Sequence, residues 1–261
     1  MNQIKIAQIN INVIRNKEAE ISNFLHTSQI DILAINETKL RKTDSLHFPG
    51  YTIFRKERSN RPGGGGLATD IKDNIDATLL DIPRHTDNET VSTTIKIDQN
   101  FTLLLTNIYI PPLTDIDPNY MQNILKQFKH HIILGDFNAK HPALCNHGKN
   151  RSGEILSQLV SDNNLILLNN DQPTHSTIST NTYSENILDL MIVTPNVTKR
   201  FLSFHVEEDL SSDHLPITAT FQREPKNSKN IYELISYPHY KNTNWKMVAT
   251  STHTWKNSPL Q

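Results

Sequence analysis

The chain has 261 residues, 36% hydrophobic and 20% charged, with a formal net charge of −1. That length suits one large core, or one domain with a tail, and the charge balance excludes a protein that grips nucleic acid by bulk positive charge. A single cysteine, Cys145, excludes an intrachain disulfide, and no apolar run approaches the ~20 residues of a membrane span.

Residues 4–12 (IKIAQININ) alternate with period two, the pattern of a half-buried strand, and the N-terminus is too polar for a signal peptide. Residues 16–28 set Ile21, Phe24 and Leu25 on one helical face. The run 31–35 (DILAI) predicts a short buried strand, and further strands are expected at 51–55, 66–71, 90–97, 101–110, 131–135, 165–168, 187–193, 201–206 and 216–222. Helices are expected at 118–129 and 151–162. Neighbouring β-runs such as 90–97 and 101–110 read as hairpins. The pattern therefore predicts an α/β fold, a four-layer α/β sandwich of two mixed β-sheets packed face to face with outer helices. Residues 1–222 form this domain. Past Phe221 the sequence turns to QREPKNSKN, so 223–261 reads as a polar linker and tail. Charge divides the same way: the tail holds six Lys/Arg against two Glu, and the first 222 residues hold 20 basic against 25 acidic groups.

Chemistry gathers at strand ends. Ile132-Ile133-Leu134-Gly135-Asp136-Phe137-Asn138 runs a buried strand into an Asp-x-Asn pair, which is a turn signal or a carboxylate and carboxamide presented at a sheet rim. Asn36-Glu37-Thr38 ends another strand in an acid, and Asn10 and Asn12 share a face of the first. Asn107-Ile108-Tyr109 brings a tyrosine to a strand end closed by Pro111-Pro112. Asp189 lies inside the apolar run ILDLMIV, a costly burial unless it is paired, and Ser212-Asp213-His214 sets an acid beside a histidine. Carboxylates and carboxamides favour a hard ion such as Mg²⁺. A histidine with a buried aspartate suits charge stabilisation near neutral pH. Phosphodiester hydrolysis uses this set of groups.

Other clusters read differently. Cys145 and His147 near His141 fall short of the four ligands of a structural zinc. The run Arg61-Pro62-Gly63-Gly64-Gly65-Gly66 lacks the Gly-Lys-Ser/Thr ending of a P-loop and leads into a strand, so it reads as a structural corner. Arg58 and Arg61 beside it are either a solvated loop or contacts to a DNA backbone.

The strings NET, NIYIPP, GDFNA, LDL and SDH, in that order, resemble the endonuclease/exonuclease/phosphatase superfamily. GDFNAKHPAL followed by NRSGEIL is similar to the apurinic-like endonuclease domain of jockey-type non-LTR retrotransposons. The resemblance spans 4–222, and HYKNTNW in the tail is similar to the start of the connector that precedes reverse transcriptase in such elements. It implies a Mg²⁺-dependent endonuclease, with Mn²⁺ as a substitute, that nicks double-stranded DNA and leaves a 3′-hydroxyl to prime reverse transcription. Glu37 would be the principal metal ligand, with Asn10 helping to hold it or the phosphate, and Asp213 would sit near the metal. Asp136 would orient or deprotonate the attacking water, Asn138 would donate to the phosphate, and Tyr109 would support it. His214 would stabilise the phosphoryl charge, oriented by Asp189, with Thr174 beside the site. Three departures stand out: Ile9 precedes Asn10 where a tryptophan is usual, Asn12 replaces an aspartate of some relatives, and Leu144 takes the place of a common tryptophan. A monomeric domain, a nuclear location, no membrane partner, and element RNA or reverse transcriptase met only through regions absent from this chain complete the expectation. The alternatives are an abasic-site nuclease, a phosphatase of the same superfamily, and a decayed copy that binds DNA without cutting it.

Overall fold

A computed structural model describes residues 2–58, 64–83, 86–179 and 182–224. The expectations for Arg61 and for the tail beyond residue 224 lie outside them. In chain order the elements are β1 (Gln3–Asn10), α1 (Glu18–Thr27), β2 (Ile32–Asn36), β3 (Tyr51–Lys56), β4 (Leu67–Lys72), β5 (Ala77–Leu80), β6 (Glu89–Asp98) and β7 (Phe101–Tyr109). There follow α2 (Pro118–Gln127), β8 (His131–Asp136), α3 (Arg151–Asp162), β9 (Ile166–Leu167), β10 (His175–Ser179), β11 (Thr182–Asn186), β12 (Asp189–Val193), α4 (Pro195–Thr198), β13 (Phe201–Val206) and β14 (Ile217–Gln222).

Two six-stranded sheets result, in the orders β13-β14-β1-β2-β4-β3 and β5-β6-β7-β8-β12-β9, with β10-β11 as a separate hairpin. Each large sheet contains one parallel pair, β1 with β2 and β7 with β8, and otherwise antiparallel neighbours. A parallel pair needs a crossover, and α1 and α2 supply the two. The sandwich is the predicted one. Ala7, Ile9, Leu33 and Ile35 on one outer face pack with Ile21, Phe24 and Leu25 of α1. On the other, Leu104, Ile108, Ile133, Leu190 and Ile192 pack with Met121 and Ile124 of α2 and Leu156 and Leu159 of α3. Each of the Leu, Ile, Met and Phe side chains among these contributes roughly 1.5–3 kcal/mol by leaving water.

The parallel pairs also locate the chemistry. Parallel strands finish at the same rim, so the register aligns Asn10 with Asn36 in one sheet and Tyr109 with Asp136 in the other. Asp189, at the start of antiparallel β12, pairs with Asp136 at that same rim. Glycine at 135 is required for this strand pairing, because a Cβ there would run into the Ile108 carbonyl.

One expectation changes, and three strands went unpredicted. The first strand stops at Asn10, because Asn12 and Val13 have φ of 45° and 85°, so Asn12 lies past the strand and not on its face. The β10-β11 hairpin went unpredicted: its Ser/Thr-rich sequence carries no apolar period. The four-residue edge strand β5 is too short to show one.

Candidate active site

The inner faces of the sheets meet at this rim in a buried polar seam. Gln8 Nε2 donates to Asn36 Oδ1 and to Asp189 Oδ1, both at 2.9 Å. Asn36 Nδ2 donates to Asn107 Oδ1 at 2.6 Å, and Asn107 Nδ2 donates to the Ala68 carbonyl at 2.8 Å. Asn36 Oδ1 also accepts the Asp136 backbone N–H at 2.8 Å. These carboxamides bond to one another and tie the two sheets together, while Gln8 Oε1 meets no partner among the described residues. Of the seam residues, Gln8, Asn36 and Asn107 were not expected at the site, although Asn36 and Asn107 open the NET and NIYIPP strings.

Asp189 is fully buried and fully partnered. Besides Gln8, it accepts from Thr174 Oγ1 at 2.9 Å and meets His214 Nδ1 at 2.7 Å. The sequence-based assignment of Thr174 to the site therefore gains a geometry: its hydroxyl oxygen also accepts the Leu188 and Asp189 backbone N–H groups. His214 Nε2 faces Asp136 Oδ2 at 3.9 Å. Burial alone would lower the His214 pKa, but Asp189, Asp136 and Asp213 outweigh it and raise it to about 9. The ring therefore carries a proton at neutral pH, with Nδ1–H donated to Asp189 and Nε2–H presented to the cleft.

Asp136 is pushed up to about 7, first by burial and then by the negative charge of Asp189, with His214 opposing. It accepts from Asn10 Nδ2 at 2.9 Å and from the Asn138 backbone N–H at 2.9 Å. Asn138 Nδ2 bonds inward, to the Ile110 carbonyl at 2.9 Å and to Asp136 Oδ2 at 3.2 Å, so Asn138 braces this acid. The bracing extends outward. Asn150, the N-cap of α3, donates to the Asn138 carbonyl at 2.7 Å while its Oδ1 caps Gly153. The Asp-x-Asn segment is thus both a turn and a site element.

Glu37 stands across from Asp136, joined through Asn10, whose Nδ2 reaches Glu37 Oε1 at 3.1 Å. Burial would raise the Glu37 carboxyl, but hydrogen bonds from Asn10, Tyr109 and Lys39 hold it below the ordinary value. Burial, then the Glu37 charge, raises the Tyr109 pKa, so Tyr109 is a phenol that donates. Lys39 was not expected here. Its Nζ lies 3.1 Å from Glu37 Oε2 and donates to Asn12 Oδ1 at 2.6 Å, and Asn12 in turn donates to Asp213 Oδ1 at 3.3 Å. Asp213, half-exposed at the mouth, is thus linked to Glu37 through Asn12 and Lys39.

The glycine corner serves Glu37. Gly65 and Gly66 adopt φ of 71° and 85°, and their carbonyls accept the Lys39 and Thr38 N–H groups at 2.9 and 3.1 Å. A Cβ on Gly66 would come within 2.8 Å of Thr38 Oγ1. Arg58 does not project freely: its guanidinium pairs with buried Glu89 and lies 5.7 Å over the Tyr109 ring. Glu89 Oε2 also accepts the Gly66 N–H at 2.7 Å.

Four carboxylates, Glu37, Asp136, Asp189 and Asp213, share this rim with one lysine and one histidinium. The excess negative charge and the oxygen donors around Glu37 fit a hard divalent cation held by Glu37 and Asn10. Among the described residues, no helix is long and apolar enough to cross a membrane.

Residues 103–218 match the family described as endonuclease-reverse transcriptase. The chain is 24% identical over 244 residues to the RNA-directed DNA polymerase from mobile element jockey of Drosophila melanogaster, covering 90% of this chain and 25% of that protein. It is 23% identical to the probable RNA-directed DNA polymerase from transposon BS of the same species, covering 86% and 25%. It thus spans about a quarter of the length of these relatives. Its fold is similar to the endonuclease domain of TRAS1, a telomere-specific non-LTR retrotransposon, with TM-score 0.72, 21% identity and coverage of 84% of this chain and 98% of that one. It is also similar to the AP endonuclease LMAP of Leishmania major, with TM-score 0.69, 14% identity and coverage of 85% and 88%. In fold the chain is thus similar to these nuclease domains, and residues 103–218 carry the match to the endonuclease-reverse transcriptase family.

Proposed function

We propose that this domain is a Mg²⁺-dependent DNA endonuclease that hydrolyses one phosphodiester bond and leaves a 3′-hydroxyl. The observation that carries the reading is the arrangement around Asp136. A buried carboxylate raised to about 7 faces, at 3.9 Å, a histidinium locked at 2.7 Å onto a fully satisfied aspartate.

Asp136 is the base that orients water and takes its proton, since a carboxylate with a pKa near neutrality accepts a proton more readily than an ordinary one. Asn10 and Asn138 hold its two oxygens in place. His214, with Asp189 behind it, presents Nε2–H to a phosphoryl oxygen and stabilises the charge that builds there. Tyr109 donates from beside Glu37. A Mg²⁺ ion, or Mn²⁺ in its place, held by Glu37 and Asn10 would neutralise negative charge on the phosphate and leaving group. Asp213 and Lys39 border that position.

Double-stranded DNA is the substrate that the resemblance to retrotransposon endonucleases supports. In that setting the nick primes reverse transcription in the nucleus. Element RNA and reverse transcriptase would be met only through regions outside the described domain. Arg58 serves this substrate indirectly, by packing over Tyr109. The test is Mg²⁺-dependent relaxation of supercoiled plasmid, with abasic duplex and a phosphomonoester as competing substrates. A rate on abasic duplex far above that on intact DNA would move the assignment to a repair nuclease.

A further inference from the structure

His175 belongs to none of the roles above, yet it is placed with care. Its ring lies 4.4 Å from that of His214, and its Nε2 is 3.7 Å from Asp213 Oδ2. The backbones are clamped as well. His175 and His214 form a β-bridge, Leu215 N–H donates to the Thr174 carbonyl at 2.7 Å, and Ser176 N–H donates to the Asp213 carbonyl at 3.2 Å. One ligand atom from each of His175, Asp213 and His214 falls within 4.8 Å of the others.

We infer that His175, Asp213 and His214 form a site for a late first-row transition-metal dication, Zn²⁺ above all, separate from the oxygen donors around Glu37. Tetrahedral zinc with N and O bonds of about 2.0–2.2 Å spaces its ligands roughly 3.3–3.5 Å apart, close to the His175–Asp213 separation. Two imidazoles select zinc over magnesium. His214 already has the outer partner that metal-bound histidines use: Nδ1–H is held by Asp189, which leaves Nε2 as the ligand atom. Asp213 has 44% of its side chain exposed, which gives the ion a path in and leaves a fourth position toward solvent. A metal on Nε2 takes the lone pair that otherwise holds the proton, so His214 cannot donate to a phosphoryl oxygen while the ion is bound. This inhibitory consequence rests on the nuclease reading; the metal site does not.

Two measurements on the full chain separate them. Co²⁺, an optical stand-in for zinc, should produce visible absorption bands on titration, and Zn²⁺ should abolish them. His175→Phe, which preserves ring packing, should weaken Co²⁺ binding at least tenfold without altering the thermal melt; His175→Gln replaces it if the phenylalanine variant fails to fold. In plasmid nicking at fixed Mg²⁺, the variant should keep wild-type activity and need at least tenfold more Zn²⁺ for half inhibition. No Co²⁺ bands in the wild type, or equal affinity in the variant, overturns the site. Intact bands with Zn²⁺-insensitive nicking overturns only the inhibitory role, and intact bands on a chain that never nicks leaves the site standing and removes the nuclease reading.

Discussion

Two aspartates of this domain are fully buried in neighbouring layers, and their fates differ. Asp189, on the inner face at the rim, has every side-chain oxygen engaged by Gln8, Thr174 or His214. Asp70 of β4 points to the outer face under α1, aligned with Leu33 and Ile53, and neither of its carboxylate oxygens meets a hydrogen-bond partner among the described residues. Burial drives the Asp70 pKa well above its ordinary value, so it is buried as a neutral acid. The difference teaches what a buried charge is worth. Where partners converge, burial makes a reactive group; where they are absent, it is a cost that the surrounding aliphatic cluster offsets.

The largest effect should come from breaking the satisfied pair. Asp189→Asn removes the charge that holds His214 protonated and oriented, and nicking should fall by about 10²–10⁴-fold, the range of a general acid–base group, with circular dichroism unchanged. A loss under tenfold would place Asp189 among purely structural acids. Next comes the corner that aims Glu37. Gly66→Val puts a branched side chain at φ 85° against Thr38, and should cost about 1–3 kcal/mol in chemical denaturation. It should also raise the Mg²⁺ concentration needed for half-maximal nicking. An unchanged Mg²⁺ requirement would disconnect the corner from the ion.

The mildest effect, and of opposite sign, is expected at Asp70. Asp70→Asn should stabilise the fold by roughly 1–3 kcal/mol at pH 7 and leave nicking untouched. The pH dependence follows from linkage. The folded pKa is raised above the unfolded one, so the folded state binds the proton more tightly. The contribution is complete below the unfolded pKa and is lost as pH rises from there through the folded value. The stability difference between variant and wild type should therefore grow with pH above the ordinary carboxylate range and vanish in acid. A pH-independent difference would mean that Asp70 is paired in solution.

Most of the fold was legible because its central strands are buried as short apolar runs and its helices are amphipathic, which writes those runs and period 3.6 into the chain. The hairpin β10-β11 is polar in sequence, so no apolar period marks it. At the site, Asp189 announced itself as an acid within an apolar run, and His214, Asp136 and Glu37 as polar residues at strand ends. Asp70 lies in the comparable run LATDI, but nothing local distinguishes an acid with partners from one without, since the partners come from other strands. Lys39 and His175 were illegible for the same reason. Each gains its meaning from a residue far away in sequence, Asn12 for one and Asp213 for the other. The run of four glycines drew attention as a phosphate cradle would, and the carbonyls of Gly65 and Gly66 instead hold the segment behind Glu37.

The most direct test of the central claim is the rate of Mg²⁺-dependent nicking of supercoiled plasmid by the wild type and by Asp136→Ala, prepared side by side with matched thermal melts. Nicking by the wild type that stops on chelation, and is lost in Asp136→Ala, is the predicted result. Equal nicking by the two proteins would contradict it.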